Sequence, residues 1–252
     1  GSLSRYSKST VRRHRRVSHF EVEFASHSLK AVAQQDQGRL TIGVTTLVAG
    51  YYLSEALGRF RRAFPAVQIE VKEDEQPFLE HQIVNGEVDV GILMTNRTIR
   101  QEAFDTELLT RSPLRLWLAA NHPLCAESTL SLTALGEEPM ISLTADQLDQ
   151  IIGGGLRRYG ISPRIVLRTA SVEAVRSLVA SQLGVALLPD FAYRPWSLEQ
   201  ERVEARAIKE PIPAIDIGLV WRRGSRLDWT AREFIDIARD QSRLRARQAL
   251  PR

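Results

Sequence analysis

Arg39-Leu40-Thr41-Ile42-Gly43-Val44-Thr45-Thr46 is a short apolar run closed by two hydroxyl residues, and everything downstream is read from it. The run suits a buried strand, and the two threonines stand ready to cap a helix. Leu53, Leu57, Phe60 and Phe64 then recur at spacings of four, three and four, one apolar face of a helix that Pro65 stops. Val67, Ile69 and Val71 alternate as a second strand. A helix through Phe78, Leu79, Gln82 and Ile83 ends near Gly86, and Val88 to Met94 is a third strand. This β-α-β-α-β order predicts a parallel sheet covered on both faces.

A second cycle follows. Segments at 107–109 and 114–120 read as strands, and Pro139-Met140-Ile141-Ser142-Leu143 is another. Residues 145–159 have helical character that Gly153-Gly154-Gly155 is expected to interrupt. Ile165 to Leu167 is strand-like, and Ser171 caps a helix carrying Val172, Val175, Leu178 and Val179. Gly184 to Pro189 makes the next strand. Two β segments at 203–208 and 214–221 precede a last helix on Ala231, Phe234, Ile235 and Ala238. The chain has 252 residues, enough for two α/β lobes.

Charge is concentrated at the ends. Residues 1–20 carry +6 and residues 239–252 carry +4, while the whole chain is only +4. Residues 21–238 therefore sum to −6, which argues against a basic body that grips nucleic acid. One cysteine, Cys125, excludes an intrachain disulfide and a cysteine-built zinc site, and points to a reducing, cytoplasmic setting. No apolar run is long enough to cross a bilayer, so no membrane partner is expected.

Catalytic and cofactor patterns are missing. The five histidines include no i, i+4 pair, so no metal site of that kind is expected. Gly153-Gly154-Gly155 leads into Leu156-Arg157-Arg158 and not into a phosphate-cradling Gly-Lys-Ser/Thr. The first strand is followed by threonines rather than a Gly-x-Gly-x-x-Gly turn, so no nucleotide cofactor is expected. His122 lies three residues before Cys125, a spacing awkward for a nucleophile–base pair, so the thiol reads as inert.

What remains are small polar groups at the C-terminal ends of strands, where ligands bind in open α/β sheets. Thr45 and Thr46 follow the first strand, Gln76 the second and Thr95 the third. Ser142 and Ser171 hold comparable places in the second cycle. Singly, Thr46 and Ser171 read as helix caps. Together the six would line a crevice between lobes, with helix N-termini after Thr46 and Ser171 supplying amides for an anion.

Several stretches resemble the effector-binding region of LysR-type transcriptional regulators. They are Gly38 to Val44, Phe60-Arg61-Arg62-Ala63-Phe64-Pro65, Leu79 with Gly86-Glu87-Val88-Asp89-Val90-Gly91-Ile92, and Ala120-Asn121-His122-Pro123-Leu124. Glu138-Pro139-Met140-Ile141 and Ser171-Val172-Glu173-Ala174-Val175 with Gly184 to Pro189 continue the series, and Trp221 with the helix to Phe234 closes it. The resemblance implies an α/β fold of two Rossmann-like lobes joined by two crossover strands, as in type 2 periplasmic binding proteins. Lobe I would be 39–116 plus 214–240 and lobe II 117–213, with a basic tail over 241–252. Residues 1–37 would be a basic tail and a linker-helix remnant.

The resemblance also implies a small-molecule inducer, commonly an organic anion, held between the lobes. By position its contacts would be Thr45, Thr46, Gln76, Met94 and Thr95 on lobe I, and Ser142, Ser171, Pro189 and Phe191 on lobe II. It implies a homodimer or homotetramer that binds DNA through a winged helix-turn-helix. At about 1.5 Å per helical residue, the 37 residues at the front are too few to hold that unit and its linker helix. A transport-type solute-binding protein of the same fold is the alternative.

Overall fold

In the computed structural model, residues 37–97 and 100–249 are described. The expectations for the basic head and the linker-helix remnant fall outside them, apart from Gln37. The first half runs β1 (Arg39–Val44), α1 (Thr46–Tyr51), α2 (Leu53–Ala63), β2 (Gln68–Glu73), α3 (Gln76–Val84), β3 (Val90–Met94) and β4 (Phe104–Ser112). The chain continues through β5 (Leu114–Ala119), β6 (Thr129–Leu130), β7 (Pro139–Leu143), α4 (Leu148–Arg157) and β8 (Arg164–Thr169). It ends with α5 (Val172–Ala180), β9 (Ala186–Pro189), β10 (Val203–Ile208), β11 (Ile215–Arg222) and α6 (Trp229–Ala249).

Two sheets organise these elements. The first has the order β2-β1-β3-β11-β4; β1 pairs in parallel with β2 and β3, while β11 runs antiparallel to β3 and β4. The second has the order β6-β10-β5-β9, and the parallel pair β7-β8 attaches beside it through the Met140–Val185 bridge. Strands β1 and β3 are buried almost throughout, as parallel strands covered on both faces must be. β2 is an edge and has no fully buried residue, with Val71 left 39% exposed.

The chain crosses between the sheets twice. β4 lies in the first sheet and β5 in the second, with Pro113 alone between them, so the outward crossing falls at Pro113 and not near residue 116. The return runs from β10 to β11 through Pro211 and Pro213. Buried apolar side chains from both lobes, among them Leu109, Leu114 and Leu116, merge into one continuous cluster.

Three local expectations are corrected. The helix after β1 is broken at Tyr52, whose φ of −127° is not helical, so a six-residue α1 precedes α2. The triple glycine does not interrupt α4: Leu148, Ile152, Gly155 and Leu156 bury one face, and that burial outweighs a glycine cost of about 1 kcal/mol per residue. The stretch from 241 is not a tail; it continues α6 to Ala249, with Gln241 fully buried. α2 packs on α6 through Phe60, whose ring meets Phe234 edge-on at 5.7 Å.

Gly218 sits at a register shift in β11, where an added Cβ would lie 2.5 Å from Thr95 and 2.6 Å from the Glu107 carbonyl. Only glycine lets β11 approach the end of β3 that closely. That approach fixes where the turn after β3 leaves the sheet, and this turn carries a residue of the site.

Candidate functional site

The cleft between the lobes opens at the C-terminal ends of β1, β2 and β7 and holds a cavity of about 280 Å³. Lobe I lines it with Thr46, Asp74, Glu75 and Gln76, and with Arg97 from the short turn after β3. Lobe II contributes Thr144, Ala145, Asp146 and Gln147, the turn that follows β7.

The N-terminus of α1 has no cap of its own: Thr45, the residue before the helix, makes no capping bond with its side chain. The cap comes from the other lobe. The Thr46 amide donates to Oδ1 of Asp146 at 3.1 Å, and the Leu47 amide donates to Oδ2 at 2.9 Å. Asp146 and Gln147 hold φ of +54° and +56°, a left-handed pair that residues bearing a Cβ adopt at a cost. Arg97 secures that turn from lobe I, donating to the Asp146 carbonyl at 3.2 Å and to Gln147 Oε1 at 3.3 Å. Burial pushes the Asp146 carboxyl above the usual aspartate range, against the pull of the Leu47 amide, the Thr45 hydroxyl and the Thr46 amide.

The other end of α1 is held as well. The Tyr51 hydroxyl donates to Glu173 Oε1 of α5 at 2.7 Å. Burial and this carboxylate push the phenol up to about 12. Glu173 also accepts two bonds from Arg176, which is 1% exposed, donates to the carbonyls of Ala192 and Arg194, and lies 5.0 Å over Trp117. The Arg176 guanidinium holds the Glu173 carboxyl below the usual glutamate range. A six-residue helix of lobe I is thus gripped at both ends by lobe II.

Of the residues expected to make the site, Thr46 and Gln76 line the cavity. Thr46 uses its hydroxyl to donate to Glu73 at 2.8 Å. Gln76 uses its amide group internally: Nε2 donates to Glu80 and to the Met94 carbonyl, and Oε1 accepts from the Met94 amide. Thr45 and Met94 are buried behind the cleft wall. The other five do not line the cavity. Thr95 faces a separate depression shared with Asn96 and Asp216. Ser142 lies inside β7 and lines a second cavity between β7, β8 and α4. Ser171 caps its own helix, accepting from the Ala174 amide at 3.1 Å. Pro189 and Phe191 sit at the crossing, where the Asp190 amide donates to the Pro113 carbonyl and the Phe191 amide to Ser112.

The sequence reading missed Asp74, Glu75, Arg97, Thr144, Asp146 and Gln147. The strand-end rule that selected Thr46 would have reached all but Arg97, because β2 ends at Glu73 and β7 at Leu143, with the turn 144–147 following it. Among the described residues no group of three or more His, Cys, Asp or Glu is placed to hold a metal ion. No helix among them is long and apolar enough to cross a membrane.

The model of the family described as LysR substrate binding domain matches residues 33–243, most of the chain and both lobes. The chain belongs to this family. Its architecture is shared by the C-terminal domain of a probable LysR family regulator from Rhodococcus, with a TM-score of 0.73 and 28% identity over 80% of this chain and 98% of that one. The effector-binding domain of BenM, solved with its effector benzoate, superposes with a TM-score of 0.71 at 17% identity, covering 85% of this chain and 96% of that domain. Among its relatives, the HTH-type transcriptional regulator CysB of Burkholderia cenocepacia is 28% identical over 181 residues, covering 69% of this chain and 56% of its own length. An HTH-type regulator of Bacillus subtilis, YwbI, is 23% identical over 209 residues, 82% of this chain and 68% of its own. The LysR-type fold of two lobes around a cleft therefore accounts for the elements described above, and its similar proteins are transcriptional regulators.

Proposed function

We propose that this LysR-type domain is the ligand-sensing region of a cytoplasmic transcriptional regulator, and that its effector enters the cavity between the lobes. The observation that carries the reading is the grip on α1. Lobe II holds both ends of that helix across the cavity, so a molecule lodged beside Thr46 and Asp146 acts directly on the contact that sets the interlobe angle. Only a difference in affinity between the two arrangements can shift the balance between them. In a homodimer or homotetramer the shift would re-space helix-turn-helix heads on DNA, the activity for which the relatives are named.

The same geometry argues against catalysis. The cavity pairs no nucleophile with a base, and Asp146 makes structural hydrogen bonds with both oxygens. A transport role draws no support from the relatives, which are regulators. Isothermal titration with a panel of small carboxylates, aromatics and amines, paired with small-angle scattering, tests the proposal. Binding heat with a change in scattering profile is the expected result. Silence across the panel with an unchanged profile would remove the sensor reading.

A further inference from the structure

The expectation of an anionic inducer meets a cavity whose α1 amides and single cation are already engaged. The Thr46 and Leu47 amides hold Asp146, the Gln76 side chain holds Met94 and Glu80, and two nitrogens of Arg97 hold the 146–147 turn. The charge that faces the space is mainly negative: Asp74, Glu75 and Asp146 against Arg97 alone. Glu73 stands just behind, accepting from the Thr46 hydroxyl. An incoming carboxylate would be desolvated beside three like charges with one cation to offset them, an unfavourable juxtaposition. A ligand that brings its own N–H donors and a positive charge meets the opposite situation.

We infer that the effector of this domain is a small organic cation, an amine or guanidine compound, and that Asp146 stands where an effector carboxylate would otherwise have met the amides of α1. The inference rests on the proposed sensing role of the cleft and specifies its ligand. Asp146 serves two purposes in this arrangement: it closes the cleft on α1, and it presents negative charge to the cavity between the lobes. At about 280 Å³ the space sits at the lower end of ligand pockets, which suits a diamine or an arylalkylamine rather than a nucleotide or a polyamine conjugate.

The experiment uses two near-isosteric pairs of opposite charge, benzylamine against benzoate and putrescine against succinate, titrated calorimetrically into the full chain. The expected result is binding of at least one amine and at least tenfold weaker binding of its acid. Glu75→Gln, an exposed change at the rim, should weaken the amine several-fold and leave the melting temperature unmoved. Asp146→Ala should free the Thr46 and Leu47 amides and remove a negative charge, so that benzoate binds more tightly than it does to the wild type. Benzoate or succinate binding wild-type protein as well as the amines, with loss on Arg97→Ala, would overturn the charge assignment while keeping the sensing role. Silence from all four probes, with no gain of benzoate binding in Asp146→Ala, would overturn the inference together with the sensing role it rests on.

Discussion

The N-termini of α1 and α5 begin from the same kind of sequence, a hydroxyl residue at the end of a strand, and finish differently. Ser171 caps α5 from within its own lobe. Thr45 does not cap α1; a carboxylate from the opposite lobe does. One helix end is complete wherever the other lobe lies, whereas the other is complete only when the lobes meet. A position-sensitive contact therefore arises from leaving a local requirement unmet, not from adding a special residue.

The contrast can be pressed by mutation. Arg176→Ala should have the largest effect, because it removes a buried cation that ties α5 to two carbonyls, to Glu173 and to the face of Trp117. A loss of about 3 kcal/mol in urea denaturation is expected. Asp146→Ala should follow at about 2 kcal/mol, and unlike the first variant it should widen the scattering profile as the cleft opens. If it destabilises without opening the cleft, the difference between the two helix ends is not one of position sensing.

Ser171→Ala should cost about 1 kcal/mol, the ordinary value of a local cap, and leave the scattering profile unchanged. Tyr51→Phe should cost about 0.5 to 1 kcal/mol while shifting the profile slightly toward the open form, since it releases only the far end of α1.

The smallest effects come from pH, and they carry opposite signs. Asp146 is raised in the folded protein by burial, so its contribution is full below the ordinary aspartate value and is lost as pH rises through the raised one. Glu173 is lowered by Arg176, so its contribution is present above the ordinary glutamate value and is lost as pH falls through the lowered one. Measured against Asp146→Asn, wild-type stability should climb as pH is taken from neutrality to about 4. Measured against Glu173→Gln it should decline, and only at the acid end. Parallel slopes would show that the two carboxylates do not experience different environments.

Much of the fold was legible because buried parallel strands are short apolar runs fenced by turns, as in 39–44 and 139–143. The break at Tyr52 was not, since apolar spacing continues through it and only φ departs from the helix. The triple glycine misled for the reverse reason: propensity is local, and the burial of Leu148, Ile152 and Leu156 decided the matter. The site was less legible than the fold. Hydroxyls at strand ends are easily collected from sequence, but the structure uses most of them for itself, Ser171 on a helix end and Thr46 on Glu73. The position of Asp146 after a strand was readable, but its left-handed turn gave no signal, because two consecutive left-handed residues without glycine are dictated by their setting, by Arg97 and the α1 amides, rather than by their own preference.

Pro113 is the sole residue between β4 and β5, and the return strand passes through Pro211 and Pro213. Proline fixes φ, so each passage has fewer backbone torsions free to turn. A change of angle between the halves is then confined to few bonds. Under the proposed sensing role, chemically unrelated molecules that hold the halves at the same angle would give the same answer, and an antagonist need only hold them at another.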